Sequence, residues 1–212
     1  MARLQVLQAV LGPVQTNVYI AVNEDTQECL IVDPADRADF LEKTIRDKGL
    51  KPAAILLTHG HFDHIGAAEE LRKAFDIPVY AQEEEAAALR DETINLSINY
   101  GAGIRLEADH LLKDGEELKL AGFRIKVFHT PGHTKGGACY YLQDENYLFS
   151  GDTLFAGSVG RTDFPGGSMK SLISAIKEKL MPLPDETVVL PGHGPSSDIG
   201  TERQTNYYLG GD

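Results

Sequence analysis

A short and wholly apolar segment, Ala53–Leu57, constrains the fold more than any other feature of this sequence. Five apolar residues without alternation are typical of a strand that is covered on both faces, as strands of parallel sheets are. Apolar residues also recur at helical spacing before this segment, over 37–48, and after it, over 65–75. A buried strand between two amphipathic helices predicts an α/β fold with helices packed outside a sheet.

The other predicted strands fall into one early and one late group. The hydrophobic pattern places them at 3–11, 17–22, 28–32 and 79–81, and then at 117–120, 123–129, 138–142, 147–150 and 187–190. Further helices are expected at 82–89, 168–180 and 201–209. Two sheets packed face to face, with helices outside, satisfy this order of elements. The sequence shows no internal repeat and no linker, which predicts a single domain over residues 1–212.

The charge and composition of the chain argue against several classes of partner. Its 212 residues include 32 acidic and 20 basic side chains, which gives a formal charge of −12. That field repels phosphate backbones and anionic lipids, so we expect neither nucleic-acid nor membrane binding. No apolar run approaches the ~20 residues that a membrane helix needs. Two cysteines are too few for a disulfide framework. We therefore expect a cytoplasmic protein, and the sequence leaves its oligomeric state open.

The densest group of polar side chains follows the apolar strand directly. The next seven residues read Thr-His-Gly-His-Phe-Asp-His and hold four potential metal ligands, His59, His61, Asp63 and His64. Such residues are mostly exposed unless they are paired, so four of them at the end of a buried strand are hard to explain by packing. Gly60 allows the backbone to turn there. We expect the first two ligands to face one point and the last two another.

Three later predicted strands end in the same way. Each leads to a histidine or an aspartate next to a glycine, namely His133, Asp152 and His193. The full set is five histidines and two aspartates without a cysteine, and such ligands favour Zn, Fe or Mn over Ca or Mg. Seven ligands are too many for one tetrahedral ion, whereas two ions that share a carboxylate would have four protein ligands each. Structural zinc sites are usually closed and Cys-rich, so this set favours catalysis.

Taken together, these motifs resemble the metallo-β-lactamase superfamily. The segments that carry the resemblance are His59-Gly-His-Phe-Asp-His64, Thr-Pro-Gly-His133-Thr, Gly-Asp152-Thr-Leu-Phe and Gly-His193-Gly, and the likeness extends over nearly the whole chain. The stretch Gly160-Arg-Thr-Asp-Phe-Pro165 is similar to one in the short bacterial hydroxyacylglutathione hydrolase (glyoxalase II)-like hydrolases. The resemblance implies a four-layer αββα sandwich, with two mixed sheets between helices, in a single metallo-hydrolase domain.

The resemblance also implies how the ligands are divided between two divalent transition-metal ions, with zinc expected first and iron or manganese as alternatives. Carried over position by position, one ion is held by His59, His61, His133 and Asp152, and the other by Asp63, His64, Asp152 and His193. The implied activity is hydrolysis of S-lactoyl-glutathione or a similar small acyl-thiol by a metal-activated hydroxide. Asp63 is also a candidate to shuttle a proton. A thiol of pKa ~8.5 leaves as thiolate without a strong acid.

Two departures from the family pattern narrow this interpretation. Full-length glyoxalase II enzymes add a C-terminal helical region that holds glutathione, but only residues 194–212 follow His193 here. The carrier is therefore held differently, or it is not glutathione. Class B1 β-lactamases have a cysteine where this chain has Asp152, which argues against an antibiotic hydrolase.

Arg161 is a candidate to bind substrate, because the glyoxalase II branch has a basic residue at the matching place. The alternative is that Arg161 pairs with Asp163 and shapes its loop. Outside the ligand set, we interpret His129 as a core residue or a partner of a ligand. We interpret Asp33 as a structural partner, and the three glutamates at 83–85 as a solvated helix face.

Two other functions stay open. Persulfide dioxygenases resemble this chain as well and use one iron, which would map to His59, His133 and Asp152. The second alternative is a non-enzymatic, metal-dependent binding module. Metal content separates the hydrolase, with two ions, from the dioxygenase, with one iron. A binding module would turn over neither a thioester nor a persulfide.

Overall fold

The computed structural model describes residues 2–101 and 103–210, whose main feature is a pair of six-stranded sheets. The first sheet contains, in both chain order and spatial order, β1 (Leu4–Leu11), β2 (Thr16–Asn23), β3 (Glu28–Val32), β4 (Lys51–Leu56), β5 (Val79–Gln82) and β6 (His110–Leu112). The first three strands pair antiparallel, and β3 to β6 pair parallel. The apolar segment at 53–57 thus lies between parallel neighbours, as predicted.

The second sheet comes from the later part of the chain. Its strands are β7 (Glu117–Leu120), β8 (Phe123–His129), β9 (Ala138–Leu142), β10 (Tyr147–Gly151), β13 (Val188–Pro191) and β14 (Ser197–Asp198). Their spatial order is β14-β13-β10-β9-β8-β7. β10 and β13 pair parallel, and the other neighbours pair antiparallel. In the segment between β10 and β13, β11 (Leu154–Phe155) and β12 (Ser158–Val159) form a separate hairpin.

Helices cover the outer faces of the two sheets. They are α1 (Ala38–Asp47), α2 (Phe62–Ile65), α3 (Ala68–Phe75), α4 (Ala86–Arg90), α5 (Met169–Ala175) and α6 (Ile199–Thr205), and a π-helical turn, Ile176–Leu180, continues α5. Ser168 caps α5, as predicted, by accepting a hydrogen bond from the backbone N–H of Ser171. Within the part of the chain that the structure describes, no helix has the length and apolar character needed to cross a membrane.

Alternation along the strands builds three apolar layers. In β3, Leu30 and Val32 pack between the two sheets against residues such as Phe149. The alternate residues Cys29 and Ile31 pack on the other face of the sheet, against α1 and α3. A third cluster joins the outer face of the second sheet to α5 and α6. The order helix, sheet, sheet, helix confirms the αββα sandwich.

Several elements differ from those predicted, and the short strands β11, β12 and β14 have no predicted counterpart. The helix expected over 65–75 is two helices, because the backbone N–H of Ala67 donates to the Pro34 carbonyl oxygen at 2.8 Å and not within a helix. The same segment passes close to Gly66, where a Cβ would lie 2.1 Å from the Ala35 carbonyl oxygen. The helix expected over 82–89 begins as a 3-10 turn, Glu83–Glu85, before α4. β6 has no counterpart among the predicted strands, since it has three residues and one buried side chain, Leu112.

Candidate metal centre

All seven predicted ligands lie at one edge of the sandwich, where four strands end. The loop after β4 carries His59 and His61, α2 carries Asp63 and His64, and His133, Asp152 and His193 follow β8, β10 and β13. Their potential ligand atoms form three groups in which all atoms lie within 4.8 Å of one another: His59, His61 and His133; His59, His64 and Asp152; and Asp63, His64 and His193. The structure therefore brings the whole predicted set together.

The first group consists of His59, His61 and His133, each of which is at most 5% exposed. Nε2 of His133 lies 2.9 Å from Nδ1 of His61. Burial, and secondarily the neighbouring His133, lowers the pKa of His61 to about 3. Burial also lowers the pKa of His59 well below its ordinary value. These two imidazoles are therefore neutral at pH 7, which is the form that binds a metal ion.

Asp63, His64 and His193 lie on the other side of the site and are called the second group from here on. Oδ2 of Asp63 lies 3.3 Å from Nε2 of His193 and 3.5 Å from Nε2 of His64. Thr16, at the start of β2, donates a hydrogen bond from Oγ1 to the same carboxylate oxygen at 3.0 Å. This oxygen thus faces both histidines of the group and is held in place by a residue of β2, in the first sheet.

Asp152 lies between the two groups. Its Oδ2 atom is 3.5 Å from Nε2 of His133 and 3.6 Å from Nε2 of His193. Its Oδ1 atom is 3.5 Å from Nε2 of His64. The carboxylate of Asp152 therefore faces histidines of both groups. The neighbouring backbone is close here, since a Cβ at Gly192 would lie 2.3 Å from Oδ1 of Asp152.

Three buried atoms of the site have no hydrogen-bond partner within residues 2–101 and 103–210. They are Nε2 of His59, Nε2 of His64 and Oδ1 of Asp152. These three residues themselves form one of the three groups, the one that connects the other two. Burying polar atoms without a partner is costly. A divalent cation would satisfy all three, because imidazole nitrogens and carboxylate oxygens are ligands that Zn, Fe and Mn accept. The donor set therefore fits a metal centre.

Hydrogen bonds from the surrounding protein orient two of the rings. His64 donates from Nδ1 to the Asp33 carboxylate at 2.9 Å, and His133 donates from Nδ1 to the Arg161 carbonyl oxygen at 2.8 Å. Asp33 also accepts hydrogen bonds from the backbone N–H and the hydroxyl of Thr58. With Nδ1 used in this way, Nε2 of each ring is left for the centre. The interpretation of Asp33 as a structural partner is consistent with these contacts.

The charges of the site act strongly on His64. Burial alone would lower the pKa of its imidazole, but the carboxylates of Asp63, Asp33 and Asp152 outweigh burial and raise the pKa to about 10. Burial alone would raise the pKa of Asp63, but its interactions with His64 and His193 hold that pKa below its ordinary value. In the metal-free protein His64 therefore holds a proton at neutral pH, and a metal ion must displace it.

Glu85 contradicts the sequence interpretation. A solvated face over 83–85 is correct for the first two glutamates, but Glu85 is 1% exposed. Its carboxylate accepts hydrogen bonds from the backbone N–H groups of Gly60 and Gly136 and from the Thr134 hydroxyl. A run of three glutamates contains no signal for this difference, which arises because the chain turns from β5 into a 3-10 turn and directs the third side chain inward.

His129 lies outside the three ligand groups. Its Nε2 donates a hydrogen bond to the Lys135 carbonyl oxygen at 2.8 Å, in the turn that follows His133. This contact is made to the backbone of the turn and not to the side chain of a predicted ligand.

A pocket of about 630 Å³ opens onto the centre. Besides the potential ligands, it has an apolar wall formed by Val14, Phe62, Leu96, Tyr100, Phe155 and Phe164. The rings of Phe62 and Tyr100 are stacked, with centroids 3.9 Å apart. The volume is that of a small-molecule site. The sequence contains no signal for this wall, because Leu96 and Tyr100 lie in the loop between α4 and β6, far along the chain from most of the ligand motifs.

Arg161 lines this pocket and also pairs with Asp163. Its guanidinium donates to both carboxylate oxygens of Asp163, at 2.7 and 2.6 Å, and lies 4.2 Å from the ring centroid of Phe164. The side chain is 61% exposed. Its position is compatible with both predicted roles, a substrate contact and a brace of the loop.

The model of the metallo-β-lactamase superfamily matches residues 11–193. The chain therefore belongs to the metallo-β-lactamase superfamily, as its motifs indicate. Among its relatives, the probable metallo-hydrolase YqgX of Bacillus subtilis is 44% identical over 204 residues, which cover 95% of each chain. The hydroxyacylglutathione hydrolase GloC of Haemophilus influenzae is 36% identical over 192 residues, which cover 88% of this chain and 89% of GloC. Within the superfamily, the protein is a metallo-hydrolase.

Solved structures agree with this assignment. BLEG-1, a B3 metallo-β-lactamase, is 45% identical and superposes with a TM-score of 0.93, covering 98% of this chain and 100% of that one. TTHA1623 in a di-iron-bound form is 38% identical with a TM-score of 0.85, covering 96% of this chain and 100% of that one. The sequence argument against an antibiotic hydrolase is that class B1 enzymes have a cysteine where this chain has Asp152. BLEG-1 belongs to class B3, so that argument does not extend to it.

Proposed function

We propose that this protein is a thioester hydrolase with two divalent transition-metal ions, acting on S-lactoyl-glutathione or a similar small acyl-thiol. The observation that carries this proposal is the position of Asp152 between two groups of ligand atoms, at the wall of a pocket of small-molecule size. The identity of 36% to the hydroxyacylglutathione hydrolase GloC supports the substrate class. The chain would act as a single metallo-hydrolase domain over residues 1–212.

Two sets of side chains would hold the ions. We assign His59, His61, His133 and Asp152 to one ion, and Asp63, His64, Asp152 and His193 to the other. We propose zinc first, with iron or manganese as alternatives, and the di-iron-bound form of TTHA1623 supports iron. When bound, such ions supply Lewis acidity and ionise a water near neutral pH.

The side chains of the protein hold the reacting groups and move protons. The lowered pKa of Asp63 keeps its carboxylate ionised at neutral pH, and Thr16 fixes its orientation. We assign to this carboxylate the shuttling of a proton. Apart from the proposed ligands, the described pocket residues with an ionisable side chain are Tyr100 and Arg161. Neither is a strong acid at pH 7. A thiolate leaving group needs none, which is why this lining suits a thioester.

The pocket offers few contacts for a highly charged carrier. Among its described lining residues, Arg161 is the one lysine or arginine, and its guanidinium already pairs with Asp163. The stacked rings of Phe62 and Tyr100 present an apolar surface that suits the acyl group or an uncharged part of the carrier. We therefore assign any contact with a carboxylate of the carrier to Arg161.

Metal analysis combined with a thioester assay tests this proposal. Protein purified without added metal is analysed for its elements and then assayed with S-lactoyl-glutathione and with a short neutral thioester. We expect about two Zn, Fe or Mn ions per chain at saturation, and hydrolysis of at least one substrate. One iron per chain with oxygen uptake on a persulfide would instead indicate the dioxygenase. Metal binding without either turnover would indicate a binding module.

Hydrolysis of β-lactams is a second candidate function. The observation that favours it is the identity of 45%, over 98% of this chain, to the B3 metallo-β-lactamase BLEG-1. A chromogenic cephalosporin assayed beside the thioesters separates the two candidates. Cephalosporin turnover that exceeds thioester turnover in kcat/KM would make the β-lactam ring the better substrate.

We place this activity in the cytoplasm, on small molecules, with neither nucleic acid nor membrane as a partner. Both cysteines are buried and free, which suits a reducing compartment. The formal charge of −12 opposes binding to phosphate backbones and anionic lipids.

A further inference from the structure

We propose that Glu85 is a positioning residue that fixes the His59–His61 loop to the His133 turn and thereby determines how firmly the ion of the first group is held. This inference rests on the two-ion centre proposed above, but not on the thioester as substrate. Glu85 does not belong to the ligand groups, and it acts through the backbone next to the ligands.

One carboxylate reaches both segments. Oε1 of Glu85 accepts a hydrogen bond at 2.8 Å from the backbone N–H of Gly60, which stands between two of the histidines. Oε2 accepts hydrogen bonds from the Thr134 hydroxyl at 2.9 Å and from the Gly136 backbone N–H at 2.8 Å. Thr134 directly follows His133. A single side chain therefore links the loop that carries His59 and His61 to the turn that carries His133.

The backbone around Glu85 is packed to make these contacts. A Cβ at Gly136 would lie 2.1 Å from the backbone nitrogen of Glu85, so the turn after His133 presses directly against residue 85. On the other side, Gln82 accepts a hydrogen bond at 2.6 Å from the backbone N–H of Glu84 and holds the start of the 3-10 turn. The carboxylate is thus fixed to the end of β5, which lies between β4 and the edge strand β6 in the first sheet.

A buried carboxylate at this place is otherwise unfavourable. Burial raises the pKa of Glu85, while its three hydrogen bonds lower it. Removing a charge from water is costly. A negative charge beside three histidines, however, favours a cation bound to them, and a fixed hydrogen-bond frame keeps them oriented when no ion is present. The second group lacks this frame, because its orienting contacts come from Asp33 and Thr16.

The test measures release of zinc and needs no substrate. Zinc-loaded protein is mixed with excess chromogenic chelator, and the two ions are followed as separate phases. In Glu85→Gln one of the two ions should leave about 10–100-fold faster, the range known for loss of a partner of a metal ligand. The other ion should leave at the wild-type rate. In a His133→Ala background, where the ion of the second group is expected to remain, Glu85→Gln should change nothing.

Glu202→Gln is the matched control. Glu202 is also 1% exposed and also accepts three hydrogen bonds, from Gly157, Ser197 and Asn206. None of these partners is next to a ligand, so this variant should lower the unfolding temperature but leave both release phases unchanged. Thermal unfolding of both metal-free variants checks that they lose comparable stability.

Thr134→Val provides a second variant with the carboxylate intact. It removes one of the three donors to Glu85 and should accelerate the same phase to a smaller extent. If Glu85→Gln does not fold, this variant carries the test by itself. Release of both ions at wild-type rates, equal acceleration of both ions, or the same acceleration in Glu202→Gln would overturn the proposal. Failure to hydrolyse thioesters would leave it intact, since that result concerns the substrate.

Discussion

Oδ1 of Asp152 and Nε2 of His64 face each other at 3.5 Å, and both atoms are buried without a hydrogen-bond partner in the described part of the chain. A hydrogen bond would require a shorter distance, and two buried polar atoms left unpaired would destabilise the fold. A cation between or beside them resolves this. Because Asp152 also faces His133 and His193, it connects both groups of potential ligands.

Replacing the shared carboxylate should therefore affect both ions. We expect Asp152→Ala to lower the affinity for two metal ions per chain, whereas His193→Ala should chiefly lower the affinity for one. Titration of the metal-free variants against a competing chelator measures both affinities. His129→Ala, which leaves every proposed ligand in place, serves as the control and should lower affinity by about 10–100-fold at most. Identical losses in the first two variants would contradict the proposed division of ligands.

Metal affinity should rise with pH. His64 holds a proton in the metal-free protein, since nearby carboxylates outweigh burial and raise its pKa to about 10 from an ordinary 6.5. An ion that binds Nε2 must displace this proton, so affinity should increase about tenfold or more per pH unit between pH 6 and 8. Chelator competition at several pH values measures the slope, and a flat profile would show that His64 is not protonated.

The metal-free protein should show the opposite trend. A histidine whose pKa is raised on folding contributes stability that is complete below pH 6.5 and is lost as the pH rises toward 10. Unfolding of the metal-free protein by urea at pH 6, 8 and 9.5 should therefore give decreasing stability. His64→Gln is the comparison that should remove this part of the slope. If the stability of the metal-free wild type did not fall between pH 6 and 9.5, the proton would have to be held by a group other than His64.

Substitution at Gly192 should disturb the centre because the added Cβ would clash with two of the potential ligands. A Cβ there would lie 2.3 Å from Oδ1 of Asp152 and 2.6 Å from Cε1 of His64. We expect Gly192→Ala to fold but to bind metal much more weakly. Gly194→Ala is the control in the same loop, since a Cβ there meets nothing within 4 Å although φ is +76°. It should cost about 1 kcal/mol of stability from backbone strain and retain both ions. Equal metal binding by both variants would contradict the close packing at Gly192.

Kinetics of an Arg161 variant should distinguish its two roles. If the guanidinium holds a carboxylate of the carrier, Arg161→Ala should raise KM for S-lactoyl-glutathione about tenfold with little change in kcat, because the contact exists in ground and transition states alike. A short neutral thioester should be unaffected. If Arg161 instead braces the loop, Asp163→Ala should reproduce the defect and both substrates should suffer equally.

Much of the architecture is visible in the local pattern of the chain. The apolar run at 53–57 predicts a buried parallel strand, and helical spacing predicts α1 and α3, because apolar burial imposes these periods on the sequence. β6 and the break at Gly66 depend on contacts with distant backbone segments, such as that at Ala35, and local periodicity carries no record of them.

By itself the sequence predicted the seven potential ligands that the structure brings to one edge, because they follow predicted strands and sheet strands deliver their ends to a common edge. The tertiary structure alone decided the arrangement of these residues. Only when two sheets pack does Asp152 come to lie between His133 and His64, and does Asp33 orient one of the rings. Burial of Glu85 likewise follows from the packing of the His133 turn against β5, a long-range contact that no run of glutamates encodes.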